Sequence, residues 1–376
     1  MTYSGTLDKQ EARWKARVIA FYLPQFHPIP ENDAWWGKGF TEWTNVRKAE
    51  PLFPGHYQPR VPADLGYYDL RNPETRLAQS ELARAYGVEG FCYWHYWFAG
   101  ERLMERPFDD VLESDEPDVR FCLAWANESW RGVWVGAPRR ILKVQTYPGL
   151  EDHRAHLAAL LKAFTDPRYI TVDGKPLFVV YKPKQLPDAR LVTDVWRELA
   201  LQAGLKGLYL VATEQDQRWN PGAHGFDAVT LCYHTRVIAA PLISPRTLRR
   251  AVLSDDWMAA LYKRIRRRPL YVYRYAQALP YFIVERPLSF EYYPCVVPGW
   301  DNTPRVGLDG IVLHEATPEL FEQQVRRAVA RVADLPPERR LVFAKSWNEW
   351  AEGNYLEPDQ RHGHGYLRAL RDAIAM

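Results

Sequence analysis

Seven residues near the C-terminal end, Trp347-Asn348-Glu349-Trp350-Ala351-Glu352-Gly353, bring together the side chains that sugar chemistry needs. Glu349 and Glu352 stand three apart, flanked by two indoles and a carboxamide. One carboxyl can give a proton to a departing oxygen while the other takes one, and indole faces stack on pyranose rings. Residues three apart on a turn lie about 5–6 Å apart at Cβ. That is near the ~5–5.5 Å carboxyl separation of retaining glycosidases, and short of the ~6.5–9.5 Å at which an inverting pair admits water. Two close carboxyls in an aromatic, partly dry site also push their pKa values apart, which leaves one protonated as the acid. A solvated helical turn can carry acids at the same spacing. Exposed aromatics mark binding surfaces, however, and this turn holds two tryptophans within four residues.

A competing acid is Glu128, in Trp125-Ala126-Asn127-Glu128-Ser129-Trp130. An Asn-Glu pair at a strand end is a common way to present an acid/base, so Glu128 with Glu349 would make a conventional retaining pair from two strands. His27, His95 and His234 fall in separate segments without HxH or HExxH spacing, so no metal site and no cofactor are expected.

Eight short apolar runs must position these groups: Arg17–Leu23, Val88–Tyr93, Arg120–Ala126, Leu177–Tyr181, Leu208–Ala212, Phe226–Leu231, Tyr292–Val297 and Leu341–Ser346. Each has the length of a buried strand and most mix β-branched and aromatic residues. Amphipathic helices lie between several of them. Pro73–Tyr86 runs into Gly87, His153–Phe164 stops at Asp166-Pro167, Asp188–Leu201 precedes Gly204, and Thr317–Ala333 opens on a Thr-Pro cap. Strand and helix alternating eight times predict a (β/α)8 TIM barrel, a single domain over 17–376 behind an N-terminal extension 1–16. An open doubly wound sheet is the alternative, but no strand-to-helix turn carries a GxGxxG or P-loop pattern.

Active sites of such barrels lie at the C-terminal strand ends. The exits supply Tyr22 and Gln25; Trp94 and His95; Asn127, Glu128 and Trp130; Tyr181; Glu214; Tyr233; Trp300 and Asp301; and Trp347, Asn348, Glu349 and Glu352. Together with Trp43 these are the expected substrate-binding residues around the catalytic Glu349 and Glu352. Trp43, Trp94, Trp130, Trp300 and Trp347 are the stacking candidates, and Glu214 and Asp301 the hydrogen-bonders to hydroxyls. Two long insertions interrupt the barrel, at about 24–60 and 238–288. The first is rich in Pro, Gly and Trp, and loops of that length are usually functional, here as a pocket wall. The second contains Lys263-Arg264-Ile265-Arg266-Arg267-Arg268, which reads either as a solvated helix end or as contact with an anionic partner such as a lipid-phosphate-linked glycan.

Composition narrows the classes. The net charge of +3 over 376 residues gives no reason to expect nucleic acid, whereas 15 Trp and 22 Tyr suit an oligosaccharide or polysaccharide. Cys92, Cys122, Cys232 and Cys295 are widely spaced within or beside apolar runs, and read as buried reduced thiols. The opening Met1–Arg17 has no apolar core of a signal peptide, and no stretch approaches the ~18 apolar residues of a membrane span. A cytoplasmic, non-transmembrane protein is expected.

Three stretches carry a family resemblance: Ala20-Phe21-Tyr22-Leu23-Pro24-Gln25-Phe26-His27-Pro28, Gly39-Phe40-Thr41-Glu42-Trp43-Thr44-Asn45 and Phe91–Trp97. They resemble the WbsX-like proteins of polysaccharide clusters, often labelled glycosyltransferases, whose domain is similar to glycoside hydrolase family 99. The likeness runs from about Arg17 to Tyr366. Those hydrolases hold both catalytic carboxylates in a Glu-Trp-His-Glu-Gly tract followed by Ile-Glu-Pro, matched here at Glu349, Trp350, Glu352, Gly353, Glu357 and Pro358. The resemblance implies a (β/α)8 barrel and retaining cleavage of α-mannosyl chains through a 1,2-anhydro sugar. In it Glu349 acts on the 2-hydroxyl and Glu352 protonates the departing oxygen. The tract departs from the hydrolases at Ala351, where they have His, and at Leu356, where they have Ile, so the sugar could equally be rhamnose or fucose. Three functions therefore stand: a retaining glycoside hydrolase on a bacterial surface polysaccharide, a glycosyltransferase or transglycosylase of O-antigen or capsule assembly, and a non-catalytic glycan-binding protein.

Overall fold

The computed structural model describes residues 14–114, 116–132, 137–231 and 271–376. Within them the eight expected runs are eight parallel strands: β1 (Arg17–Tyr22), β2 (Val88–Phe98), β3 (Arg120–Trp125), β4 (Lys175–Val180), β5 (Tyr209–Thr213), β6 (Ala228–Leu231), β7 (Glu291–Val296) and β8 (Leu341–Ala344). Each pairs with the next in chain order. β8 returns to β1 with Leu341 opposite Arg17 and Ala344 opposite Ala20, which closes the (β/α)8 barrel. The strands are buried on both faces, the reason they read as apolar runs rather than alternating ones. Gly90 is required where β2 meets β3, because a Cβ there would lie 2.1 Å from the Arg120 carbonyl oxygen.

The helices cover the outside, except the first two, which belong to the first insertion. They include α1 (Pro30–Trp36), α2 (Glu42–Lys48), α3 (Pro73–Ala85), α4 (Arg106–Ser114), α5 (Leu150–Phe164), α6 (Ala189–Gln202), α7 (Pro318–Val332) and α8 (Gly365–Ile374). Their ends follow the sequence signals. Asp188 accepts from the Leu191 amide to cap α6, Thr317 caps α7 ahead of Pro318, and Gly87 turns left-handed just beyond α3. The first insertion is not a bare loop, since it carries α1 and α2. Cys92, Cys122 and Cys295 are buried. Cys232, most of the second insertion and the basic run 263–268 lie outside the described residues. No helix among the described residues is long and apolar enough to cross a membrane.

Candidate active site at the carboxyl ends of the strands

At the mouth of the barrel β8 ends and the chain turns through a short antiparallel pair, Asn348–Glu349 with Asn354–Tyr355, around one 3-10 turn at Trp350–Glu352. Gly353 closes that turn with a positive φ of 63°, where a Cβ would strike Asp301. Buried polar groups hold the turn down. The Asn348 carboxamide accepts from the Leu23 amide and donates to the Leu23 carbonyl. The Glu357 carboxylate accepts from Tyr68 Oη, Gln79 Nε2 and Trp350 Nε1 at 2.9, 2.6 and 2.6 Å. Burial, against those three bonds, pushes the Glu357 pKa up to about 7.

Glu349 and Glu352 come together in a cleft of about 360 Å3, within the range of small-molecule sites. Glu349, 4% exposed, accepts from Trp94 Nε1 at 2.9 Å and from Lys345 Nζ at 3.1 and 3.2 Å. The same ammonium stands 3.7 Å from Glu352 and lies over the rings of Trp94 and Trp300. Glu352 is also bonded by Arg305, whose guanidinium reaches back to Glu42 at 3.0 Å through Nε. Three carboxyls, those of Glu42, Glu349 and Glu352, thus face two cations in a buried cluster. An uncompensated buried charge is costly, so one carboxyl keeps a proton.

The directions of titration agree. Burial raises Glu349 against the pull of Lys345, and the neighbouring Glu352 raises it further. Burial also acts upward on Glu352, but Arg305, Lys345 and a hydrogen bond with Glu349 outweigh it, so its pKa falls. Glu42 is raised by burial against its Arg305 partner. Of the two neighbouring carboxyls, Glu349 is thus the one held toward its protonated form and Glu352 the one held toward its charged form. Glu352 Oε2 is buried without a hydrogen-bond partner among the described residues, with Lys345 Nζ 3.7 Å away.

Of the expected binding residues, Gln25, Trp94, Glu128, Trp130 and Tyr181 line this cleft with Glu349 and Glu352. Glu128 stands 3.8 Å from Lys182, and its pKa is raised by burial. The others brace the walls instead. Tyr22 Oη donates to Gln79, Trp43 Nε1 donates to the Tyr68 carbonyl, and Asn127 bonds Tyr147 and both backbone groups of Lys182. His95 Nε2 meets His156 Nε2 at 2.9 Å behind the wall, and burial lowers its pKa to about 3. Asp301 accepts from His56, Gln58 and Thr303, while Glu214 pairs with Lys184 at 3.1 Å. Trp300, Trp347 and Asn348 are buried supports. His27 is bonded to the Pro24 carbonyl, and no cluster of potential metal ligands occurs among the described residues. Tyr233 and His234 lie outside them.

Lys345, Arg305 and Asn32, which sequence reading missed, line the cleft together with Tyr96 at the β2 exit and with Trp35 and Trp36 of the first insertion, and Glu42 anchors Arg305. Only Lys345 had a signal. A lysine closing a buried apolar strand needs a counter-charge, and Glu349 is four residues on.

The barrel matches solved structures closely in outline. A glycoside hydrolase-like protein superposes with a TM-score of 0.58 at 16% identity, over 96% of this chain and 94% of that one. The GH99 endo-α-mannosidase of Bacteroides thetaiotaomicron, in complex with bis-tris-propane, gives 0.55 at 13% identity, covering 95% of each chain. In sequence, the uncharacterized protein WxcX of Xanthomonas campestris pv. campestris (strain B100) is 39% identical over 361 residues, 96% of this chain. The chain spans about half the length of the curated relatives it matches. The family model described as glycosyltransferase WbsX matches residues 18–370, nearly the whole of the barrel, and the chain belongs to that family.

Proposed function

We propose that this chain is a carbohydrate-active enzyme that cleaves glycosidic bonds of a bacterial surface polysaccharide with retention, using Glu349 and Glu352 as its acid/base pair. The observation that carries this reading is the carboxyl pair, both members reached by the Lys345 ammonium, in a cleft walled by Trp94, Trp130 and Tyr181. Both carboxyls lie within 3.7 Å of one ammonium, closer together than suits a pair that must admit a water between them.

The directions of titration favour a division of labour opposite to the one that the resemblance implies. Glu349 gives its proton to the departing glycosidic oxygen. Glu352 takes the proton of the sugar 2-hydroxyl, whose oxygen closes on C1 as the C1–O bond breaks, giving a 1,2-anhydro sugar. An acceptor hydroxyl then opens that ring at C1. It passes its proton to Glu349, while Glu352 returns a proton to O2. Two inversions at C1 give retention, and the 2-hydroxyl must lie trans to the scissile bond. That condition favours manno- and rhamno-configured α-glycosides over α-fucosides. Lys345 and Arg305 keep Glu352 ionised for this task.

A second reading, supported by the family's description, replaces water with a glycan hydroxyl, so that the same pair transfers a sugar. The two part on a single assay. Bacterial polysaccharides and α-linked aryl glycosides are incubated with the protein, with and without sugar nucleotides. Reducing ends released without a nucleotide support hydrolysis, nucleotide-dependent elongation supports transfer, and neither outcome under any condition removes the enzymatic proposal.

A further inference from the structure

The part of the cleft wall supplied by the β1 exit differs from the rest. Its residues, Leu23, Gln25, Asn32, Trp35 and Trp36, carry no charge, whereas Glu128, Arg131, Arg305, Lys345, Glu349 and Glu352 all come from other elements. Asn32 is the odd member. It is 1% exposed, lines the cleft, and neither its Oδ1 nor its Nδ2 is bonded by any group among the described residues. A buried carboxamide without partners costs about 1–3 kcal/mol for each polar group, so such a residue is held at the expense of stability. Its position is firm, since Asn32 sits in the first turn of α1 behind Pro30. Three residues further along the helix, Trp35 meets Trp130 edge-on at 5.7 Å and 79°. Trp130 is in turn held edge-on by Tyr96 and Phe98, so α1 and the hairpin Trp130–Gly132 are fixed against each other across the cleft.

We infer that Asn32, with Trp35 and Trp36, forms a second glycosyl subsite beside the carboxyl pair, in which the Asn32 carboxamide bonds two adjacent hydroxyls of an uncharged pyranose. A carboxamide presents one acceptor and two donors in a plane, and a vicinal diol presents a donor and an acceptor at matching spacing. The indoles beside it supply the apolar face that a sugar's C–H side needs. A charged sugar finds no partner on this wall. The inference rests on the reading of the cleft as a glycan site, but not on the chemistry assigned to Glu349 and Glu352.

The test pairs affinity with stability in Asn32→Leu, which keeps the shape and removes both polar atoms. Binding of methyl α-glycosides and α-linked disaccharides of D-mannose, L-rhamnose and D-glucose is followed by calorimetry and by tryptophan fluorescence. At least one disaccharide is expected to bind the wild type. Asn32→Leu then weakens it about tenfold, the scale of two lost neutral hydrogen bonds, while the matching methyl glycoside changes less than threefold. The melting temperature stays level or rises, because an unbonded buried amide has been removed. A melting temperature that falls while disaccharide affinity holds assigns Asn32 to the framework and overturns the inference. So does a wild type that binds none of the panel. If Asn32→Leu does not fold, Asn32→Ala is read by the same affinity criterion. Unchanged affinity with intact turnover sinks the subsite alone, whereas Asn32-dependent binding without any turnover sinks the catalytic reading alone.

Discussion

Replacing Lys345 by methionine is the perturbation that the electrostatics of the site make most specific. The ammonium is 7% exposed and stands 3.1 and 3.2 Å from the two Glu349 oxygens and 3.7 Å from Glu352. At an effective dielectric of about 20, unit charges ~3–4 Å apart interact by about 4–5 kcal/mol. At ~1.4 kcal/mol per pKa unit, that sets a ceiling of roughly three units on the change in the ionisation of the pair. Removing the cation favours the protonated form of both carboxyls. Activity requires one proton on and one off, so the pH–rate profile is bell-shaped and Lys345→Met slides the whole bell toward alkali. A displacement of about 1–3 units is expected, with turnover at pH 6 down at least ~10-fold and recovering as pH rises. The assay is initial rate against pH on whichever glycan the screen identifies, alongside carbon-13 NMR of the glutamate carboxyls. A variant that loses activity equally at every pH, with carboxyl titrations unmoved, would refute the argument that Lys345 acts through the charge of the pair.

Three further outcomes follow from individual contacts. Trp94→Phe removes the 2.9 Å N–H donor to Glu349 while keeping most of the ring, so kcat should fall about tenfold or more with KM changing less than threefold. Glu128 lines the cleft but makes only the 3.8 Å contact with Lys182, so Glu128→Gln should cost less than tenfold in kcat; a loss matching that of Glu349→Gln would move the acid to Glu128. Glu357 has a folded pKa raised from 4.5 to about 7, so the native state holds a proton that the unfolded chain has already released. Its contribution is complete below pH 4.5 and is lost as pH climbs toward 7, a span of roughly 3 kcal/mol. Glu357→Gln should flatten the decline in melting temperature across that window, and an identical slope in both proteins would exclude Glu357 as its source.

The barrel was legible because its strands are buried on both faces, which turns each into a short apolar run that no helix needs. The carboxyl pair at the mouth was legible because carboxyls and indoles cluster within one turn. Much of the expected rim was not rim, and the reason is the two-residue period of a strand. Trp94 and His95 are neighbours on β2, so Trp94 reaches Glu349 in the mouth while His95 turns outward to His156 on α5. Tyr22 likewise faces Gln79 on α3, whereas Phe21 stacks on Trp94 at 4.8 Å inside. Listing every residue at a strand exit counts both faces. Arg305 was invisible for a different reason. Its two carboxylate partners lie 47 and 263 residues away, and no local pattern records such a contact. Asn32 gave no sign either, because a lone asparagine in a Trp-rich loop looks like turn chemistry until its missing partners are seen.

The central claim is that Glu349 and Glu352 share one proton and divide the work of acid and base. It is tested most directly by turnover of Glu349→Gln and Glu352→Gln on two α-glycosides that differ only in the leaving group, one an alkyl alcohol and one a nitrophenol. Both variants should lose at least ~10²-fold on the alkyl glycoside. Glu349→Gln should recover on the nitrophenyl glycoside, which departs without protonation, while Glu352→Gln should stay impaired on both. Rates near those of the wild type for both variants on the alkyl glycoside would contradict the account.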